Sequence, residues 1–332
     1  MNALTLPAHL AATPSSAPAQ TSFSGLAVGL CTYKRRDSLL RTLDHIALAA
    51  VALDAPPCVI VVDNDGHDPE VQRSVRAFAL RSGLTVHCLV ETQPGISAAR
   101  NAVFDRASAL GVRFVAMIDD DEWPSAEWLK ELLATQAERS AAVVGGPVRP
   151  VFPEQAASLR RYARFWAVDR QFLQGRPFVF CTCNFLIDMQ AIAAVPRPLF
   201  DEAFGLSGGG DTVFFRGLFF AGHAMAWSQA AYVHEEVPPS RASFAWMRRR
   251  RFRVGNHAVR WESLVGRRKS LLKTAGLLLR LPLYPLFLRE PEAPMVGWLF
   301  EFDKLRGRVA AHFGDVFVEY GRPATPGEKT CG

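Results

Sequence analysis

Between residue 25 and about residue 148, short apolar runs alternate with longer amphipathic stretches. The runs Leu26–Cys31, Cys58–Val62, Thr85–Val90, Phe114–Ile118 and Ala141–Val148 are continuous rather than alternating, and rich in Val, Ile and Leu. Strands buried on both faces of a parallel sheet read this way. Between them, Leu39, Leu40, Leu43, Ile46 and Ala47 recur at helical spacing behind Asp37, a residue suited to an N-cap. Val71, Val75, Phe78 and Ala79 repeat the pattern, as do Ala99, Ala102, Val103, Ala107 and Leu110 after Ser97. Strands alternating with helices of this length predict an α/β fold built on a Rossmann-like, doubly wound, mostly parallel sheet.

The second half loses that rhythm. Pro147 to Pro153 reads as a linker or loop, followed by a basic-aromatic helix over Ala157–Phe172 and a strand over Phe178–Ile187. A glycine-rich turn then leads into an apolar helix over Ser207–Gly222. Residues 1–24 are rich in Ala, Pro, Ser and Thr and lack the basic and apolar regions of a signal peptide, so a disordered leader is expected. Leu277–Leu288 is strongly apolar but interrupted by Arg280, Pro282 and Pro285. A bilayer span needs roughly 20 apolar residues, so this segment is expected either to lie on a membrane or to pack into the core.

About half of the 332 residues (49%) are apolar, enough for a sizeable core. The net charge of +6 favours anionic partners: nucleic acid, phosphorylated ligands or acidic lipid. None of the six cysteines forms a C-x-x-C pair, and Cys181-Thr182-Cys183 alone cannot supply four zinc ligands. Reduced thiols in a cytoplasm are expected, with Cys181 and Cys183 as buried neighbours of the site.

In open α/β sheets ligands bind beyond the carboxyl ends of the strands. Here the first run closes on Cys31-Thr32-Tyr33-Lys34-Arg35, the second on Asp63-Asn64-Asp65, and the fourth on Asp119-Asp120-Asp121. Three carboxylates behind a buried strand are costly unless a positive partner joins them. A divalent metal is the simplest such partner, because hard cations take carboxylate oxygens and bridge to phosphates. A solvated acidic turn capping a helix near Ser125 is the plainer alternative, and the second strand-end acid, Asp63, weighs against it. Trp123 and Trp128 fit the border of a ligand site or core packing, and His234 fits a metal ligand or a structural histidine. The arginines from Arg248 to Arg253 fit a solvated helix face or, as preferred here, a diphosphate headgroup site.

Taken in order, the Cys31–Arg35 motif, Val61-Val62-Asp63-Asn64, Gly95-Ile96-Ser97-Ala98-Ala99-Arg100-Asn101 and Ile118-Asp119-Asp120-Asp121 resemble the nucleotide-sugar-binding half of family 2 glycosyltransferases. Phe200-Asp201-Glu202-Ala203-Phe204-Gly205 and Gly208-Gly209-Gly210-Asp211-Thr212 continue the resemblance, which covers about residues 25 to 260. The segments Glu235–Arg241 and Arg251–Asn256 are similar to non-processive members that build bacterial exopolysaccharides, the succinoglycan glucosyltransferases among them. The resemblance implies a GT-A fold with a nucleotide-sugar half at 25–148 and an acceptor-binding half of the same domain at 149–260. A basic and apolar helical, membrane-peripheral extension would follow at 261–332. It further implies Thr32 and Arg35 near nucleobase and diphosphate, Asp63 accepting from a uracil ring, and Arg100 close to the nucleotide. Asp121 with Asp119 would hold Mn²⁺ or Mg²⁺, and Asp120 or Asp119 the ribose.

Asp211 matches the acid that deprotonates the acceptor hydroxyl. Read from the residues alone, it equally fits an N-cap behind three glycines. Two departures stand out. The family usually has Glu-Asp where this chain has Gly210-Asp211, so a supporting carboxylate would come from elsewhere, with Glu202 and Glu235 both available. The processive Gln, Arg and Trp signature is absent, which argues against a polymerising synthase.

The expectation is therefore an inverting transferase moving a hexose from a UDP-sugar to a lipid-linked saccharide at the anionic cytoplasmic membrane face. It would use a divalent metal and have no nucleic-acid partner. A metal-dependent nucleotidyltransferase is the enzyme alternative, although Gly25-Leu26-Ala27-Val28-Gly29 lacks a phosphate loop with Lys. A nucleic-acid-binding module is the other, opposed by the clustered acids.

Overall fold

The computed structural model describes residues 25–205, 209–283, 294–315 and 317. The expected leader and the far end of the Leu277–Leu288 segment lie outside the described residues. Strands β1 (Leu26–Thr32), β2 (Cys58–Asp63), β3 (Val86–Val90) and β4 (Phe114–Ile118) pair in parallel in the order β4-β1-β2-β3. Helices α1 (Arg36–Ala50), α2 (Pro69–Ser82) and α3 (Ile96–Ala109) connect them.

The continuous apolar runs have a plain cause. Val59 and Val61 join Leu43, Ile46 and Phe78 in one core cluster, whereas Cys58, Ile60 and Val62 join Val103 and Phe104 in the other. Each fully buried Val, Leu or Ile contributes roughly 1.5–3 kcal/mol relative to exposure. The expected caps differ in detail. Arg35, not Asp37, is the N-cap of α1, and Asp37 sits in the first turn, where its charge still complements the helix dipole. The N-cap of α3 is Gly95, and Ser97 lies within the helix. Its φ of 120° and the Gly205 backbone beside it leave no room for a side chain.

After β4 come β5 (Glu122–Pro124), α4 (Trp128–Arg139), β6 (Val143–Gly145), β7 (Val148–Val151), β8 (Gln171–Leu173), β9 (Arg176–Phe178) and β10 (Asn184–Asp188). They are followed by α5 (Gly210–Phe220), β11 (Met225–Trp227), β12 (Val233–Glu236), α6 (Phe244–Arg280) and α7 (Pro294–His312). β10 enters the main sheet antiparallel between β4 and β6, giving the order β11-β6-β10-β4-β1-β2-β3. A second sheet has the order β5-β12-β7.

Several expectations are corrected. The run Ala141–Val148 is two strands, because the chain leaves the main sheet at Gly146, where a Cβ would overlap the Ala231 carbonyl. Pro147–Pro153 therefore contains β7 rather than a linker, and Pro150 is tolerated because β7 is an edge strand. The run Phe178–Ile187 breaks between β9 and β10. The helix expected over Ala157–Phe172 is a 3₁₀ helix over Glu154–Phe165, with Leu159, Tyr162 and Phe165 repeating every three residues against one cluster. The acidic turn does not cap the helix near Ser125: α4 starts at Trp128 with Glu127 as its N-cap.

At the C-terminal end, α6 is two helical segments meeting at Gly266, and both pack on α7. A Cβ on Gly255 would overlap the Lys304 carbonyl and one on Gly307 the Phe252 carbonyl, so the backbones touch. Beyond this clamp, buried Arg308 donates to Glu262 (2.5 Å), which Ser270 and Lys273 also reach at 2.8 and 2.7 Å. Among the described residues, no helix is long and apolar enough to cross a membrane.

Candidate active site

The carboxyl ends of β1, β2 and β4 open onto a cavity of about 810 Å³, lined in part by Arg35, Asp63, Asp121 and Arg241. The first functional group is Asp63, only 1% exposed. Its Oδ1 accepts from the Asp65 N–H at 3.0 Å, and its Oδ2 is buried without a partner. An orphaned buried acceptor is unfavourable by roughly 1–3 kcal/mol, so the position suits a ligand N–H. Asn64 beside it donates to the carbonyls of Glu91 and Gln93 (2.9 and 2.7 Å) and accepts from Gly95 N–H (3.1 Å). Two sequence motifs far apart in the chain are thereby joined.

The acidic turn after β4 is held from several sides. Asp120 accepts from the Thr32 hydroxyl at 2.7 Å and from Arg35 at 3.2 Å, and Arg35 also reaches Asp121 at 2.6 Å. The Thr42 hydroxyl on α1 donates to the Glu122 carbonyl at 2.6 Å. Glu122 in turn accepts from the Asp119 N–H at 3.0 Å. Burial, and then the neighbouring acids, push the Asp120 carboxyl up to about 7 against the pull of Arg35 and Thr32. Burial raises Asp119 as well, with Arg100 opposing and Asp121 and Asp211 adding.

Glu235 on β12 joins the same cluster. Burial and then Asp121 raise its carboxyl to about 7, with Arg250 and Arg241 opposing. Arg241 spans Glu235 (3.7 Å) and Asp121 (4.0 Å). Glu202, the other carboxylate considered from sequence, is exposed and bonded to Gln93 at 2.6 Å. Carboxylates crowded until their charged forms are disfavoured make a hard-oxygen donor set that suits Mg²⁺ or Mn²⁺. Among the described residues, no three His, Cys, Asp or Glu side chains could hold an ion by themselves.

Asp211 is the second residue of α5, behind Gly209 at the N-cap, so it is not the cap. Its Oδ1 accepts from Thr212 N–H at 2.7 Å, and its charge acts on Asp119. Arg100 also acts on Asp119 and lies over the Phe200 ring at 5.7 Å. The arginine run divides. Arg248 grips Asp303 on α7 at 2.7 Å, Arg251 lies over Phe165 and Phe300, and Arg250 acts on Glu235.

The open alternatives resolve toward structure. Trp128 is fully buried and donates to Asn184 at 2.8 Å. Trp123 stacks on His234 on the side of β12 away from Glu235, and burial lowers the His234 ring below its usual value. The Cys181 and Cys183 sulfurs lie 2.9 Å apart, and hydrogen bonding to Cys181 and burial hold the Cys183 thiol well above its usual value. Sequence reading passed over Thr42, Arg241 and the individual role of Arg250. Thr42 meets Glu122, 80 residues on, and Arg241 meets Asp121, 120 residues back, contacts that only the fold creates.

A doubly wound sheet with an antiparallel strand beside β4, and with acids at the ends of β2 and β4, is the GT-A fold. The chain belongs to glycosyl transferase family 2, whose model matches residues 27–195. It is 36% identical over 267 residues to the succinoglycan biosynthesis protein ExoM of Rhizobium meliloti, covering 76% of this chain and 84% of that protein. It is 32% identical over 129 residues to a glucosyl-dolichyl phosphate glucuronosyltransferase of Haloferax volcanii, 38% of either chain. In fold it is similar to the mannosyltransferase PcManGT of Pyrobaculum calidifontis, solved with GDP-Man and Mn²⁺, at a TM-score of 0.57 and 16% identity over 88% of each chain. The chain is thus a transferase, and the nucleotidyltransferase and nucleic-acid-module readings are set aside.

Proposed function

We propose that this enzyme transfers a hexose, with inversion, from a UDP-sugar to a hydroxyl of a lipid-linked saccharide in exopolysaccharide or cell-surface glycan assembly. The transfer would take place at the cytoplasmic face of the membrane. One observation carries the reading: an unpartnered Asp63 oxygen, the Asp119–Asp121 turn and Asp211 meet at one end of the sheet. The similarity to ExoM supports the polymer class, and the partial similarity to the dolichyl phosphate enzyme supports a lipid-linked acceptor.

In this reading Asp63 accepts from the uracil N–H, and Asp120, fixed by Thr32, receives the ribose. Arg35 and Arg100 flank the nucleotide. Asp121 and Asp119 hold Mn²⁺ or Mg²⁺ beside Glu235; the ion when bound neutralises the diphosphate and stabilises the departing charge. Asp211 takes the acceptor proton, an assistance of roughly 10²–10⁴-fold. The new oxygen–C1 bond forms as the C1–phosphate oxygen bond breaks, and attack from the opposite face inverts the anomeric carbon. Arg241 and Arg250 lie where they can meet the leaving charge.

Calorimetric titration with UDP-, GDP- and dTDP-sugars, with and without Mn²⁺, tests the donor assignment. Binding of a UDP-sugar that needs Mn²⁺ is expected, and Asp121→Asn should lose it while keeping its melting temperature. Undiminished donor affinity in that variant would sink the metal assignment.

A further inference from the structure

Beyond Gly266, the second segment of α6 has two unlike faces. Ser270 and Thr274 are buried against α7, where Thr274 meets both Arg308 and His312. On the far side Leu271, Leu272, Leu278 and Leu279 are exposed, by 74% for Leu272 and 76% for Leu279. At about 100° per residue these four fall within an arc of about 120°. Exposed Leu283 follows immediately.

A surface helix ordinarily turns its apolar stripe inward. This one turns a leucine stripe outward while its small polar residues face the protein. Contiguous exposed apolar surface of this kind marks a partner.

The charges around the stripe say which partner. Arg267, Arg268, Lys269 and Arg280 are exposed along it, and residues 267–283 contain no Asp or Glu. A second copy meeting this face about a two-fold axis would bring like charges together. An anionic bilayer satisfies both features, since leucines enter the acyl boundary and the cations meet lipid phosphates.

We propose that the outward face of residues 267–283 seats the enzyme in the plane of an anionic membrane. This deepens the membrane placement proposed above and extends the contact upstream from the Leu277–Leu288 segment singled out from sequence, to Arg267. Arg250 and Arg253 precede it on the same element, so a seated helix would hold the catalytic cleft close to the lipid surface.

Flotation of the full chain with phosphatidylcholine vesicles, with and without phosphatidylglycerol, tests the proposal. Binding is expected only with phosphatidylglycerol, and it should fade as salt rises. Leu272→Asp with Leu279→Asp should weaken it roughly tenfold or more. Arg268→Glu with Lys269→Glu gives a second route to the same loss. Both pairs are exposed, so melting temperature and Mn²⁺-dependent donor hydrolysis should stay at the level of the unaltered chain. Failure to float with anionic vesicles would overturn the proposal, as would undiminished flotation of both variants. So would a dimer that the leucine pair dissociates in the absence of lipid. Because flotation does not depend on turnover, failure here leaves the transferase reading standing, and loss of donor hydrolysis alone leaves this one standing.

Discussion

Asp211 stands behind Gly209, which already occupies the cap of α5, and only its Oδ1 is engaged, by the Thr212 N–H. Asp211→Asn keeps the shape and removes the proton acceptor. Turnover should fall roughly 10²-fold or more with donor affinity retained. A lowered melting temperature with full turnover per folded molecule would instead return the residue to a structural role. The strand-end acids were legible in the sequence because a buried apolar run followed at once by carboxylates has few inexpensive explanations. Thr42 was not. It reads as one more polar position on an amphipathic helix, and only the fold brings its hydroxyl to the Glu122 carbonyl, 80 residues on. Glu235 and Glu202 read alike in the sequence, and only the fold buries the first beside Asp121 and leaves the second exposed on Gln93.

Among the elements, one side chain ties the seven-stranded sheet to the three-stranded one. Asn184, fully buried at the start of β10, donates to the carbonyls of Pro147 (3.1 Å) and Ala231 (2.8 Å) and accepts from Trp128. Asn184→Leu would leave the Ala231 carbonyl and the Trp128 indole N–H without these bonds, while the Pro147 carbonyl would keep the Val233 N–H at 3.0 Å. A loss of at least about 2 kcal/mol in urea unfolding is expected. Because β12 carries Glu235 from this joint, donor KM should rise as well; an unchanged unfolding midpoint would contradict the argument. The joint also shows where pattern reading stops. β1 to β4 announced themselves because each feeds two apolar clusters, whereas the run Ala141–Val148 holds β6 and only the first residue of β7, whose remainder reads as loop. The switch of sheet at Gly146 is set by a backbone approach that hydrophobicity does not record.

At the scale of the molecule, the C-terminal helices are fastened by charge as well as by apolar contact. Arg308 and Glu262 are 2% and 7% exposed, so removing one partner strands the other. Glu262→Gln should lower stability by roughly 3–5 kcal/mol at neutral pH. Although burial raises the Glu262 carboxyl, bonds from Arg308, Lys273 and Ser270 outweigh it and hold the group below its usual value. A lowered folded value means the benefit is complete above the unfolded value of about 4.3 and drains away as pH falls through the folded one. Chemical denaturation of both proteins across that range should show the gap closing at acid pH. A gap that widens there would exclude the ion pair as its source.

The glycine clamp carries a consequence for chain length. Gly255 and Glu262 lie seven residues apart on one helical segment, two turns that bring both to the same partner helix. One residue inserted between them would swing Glu262 around the axis by about 100°. Either the clamp or the ion pair would then come unseated, whatever residue was added. Relatives of this enzyme that differ by insertions should therefore carry them in the connecting loops, and leave the spacing from Gly255 to Glu262 at whole turns.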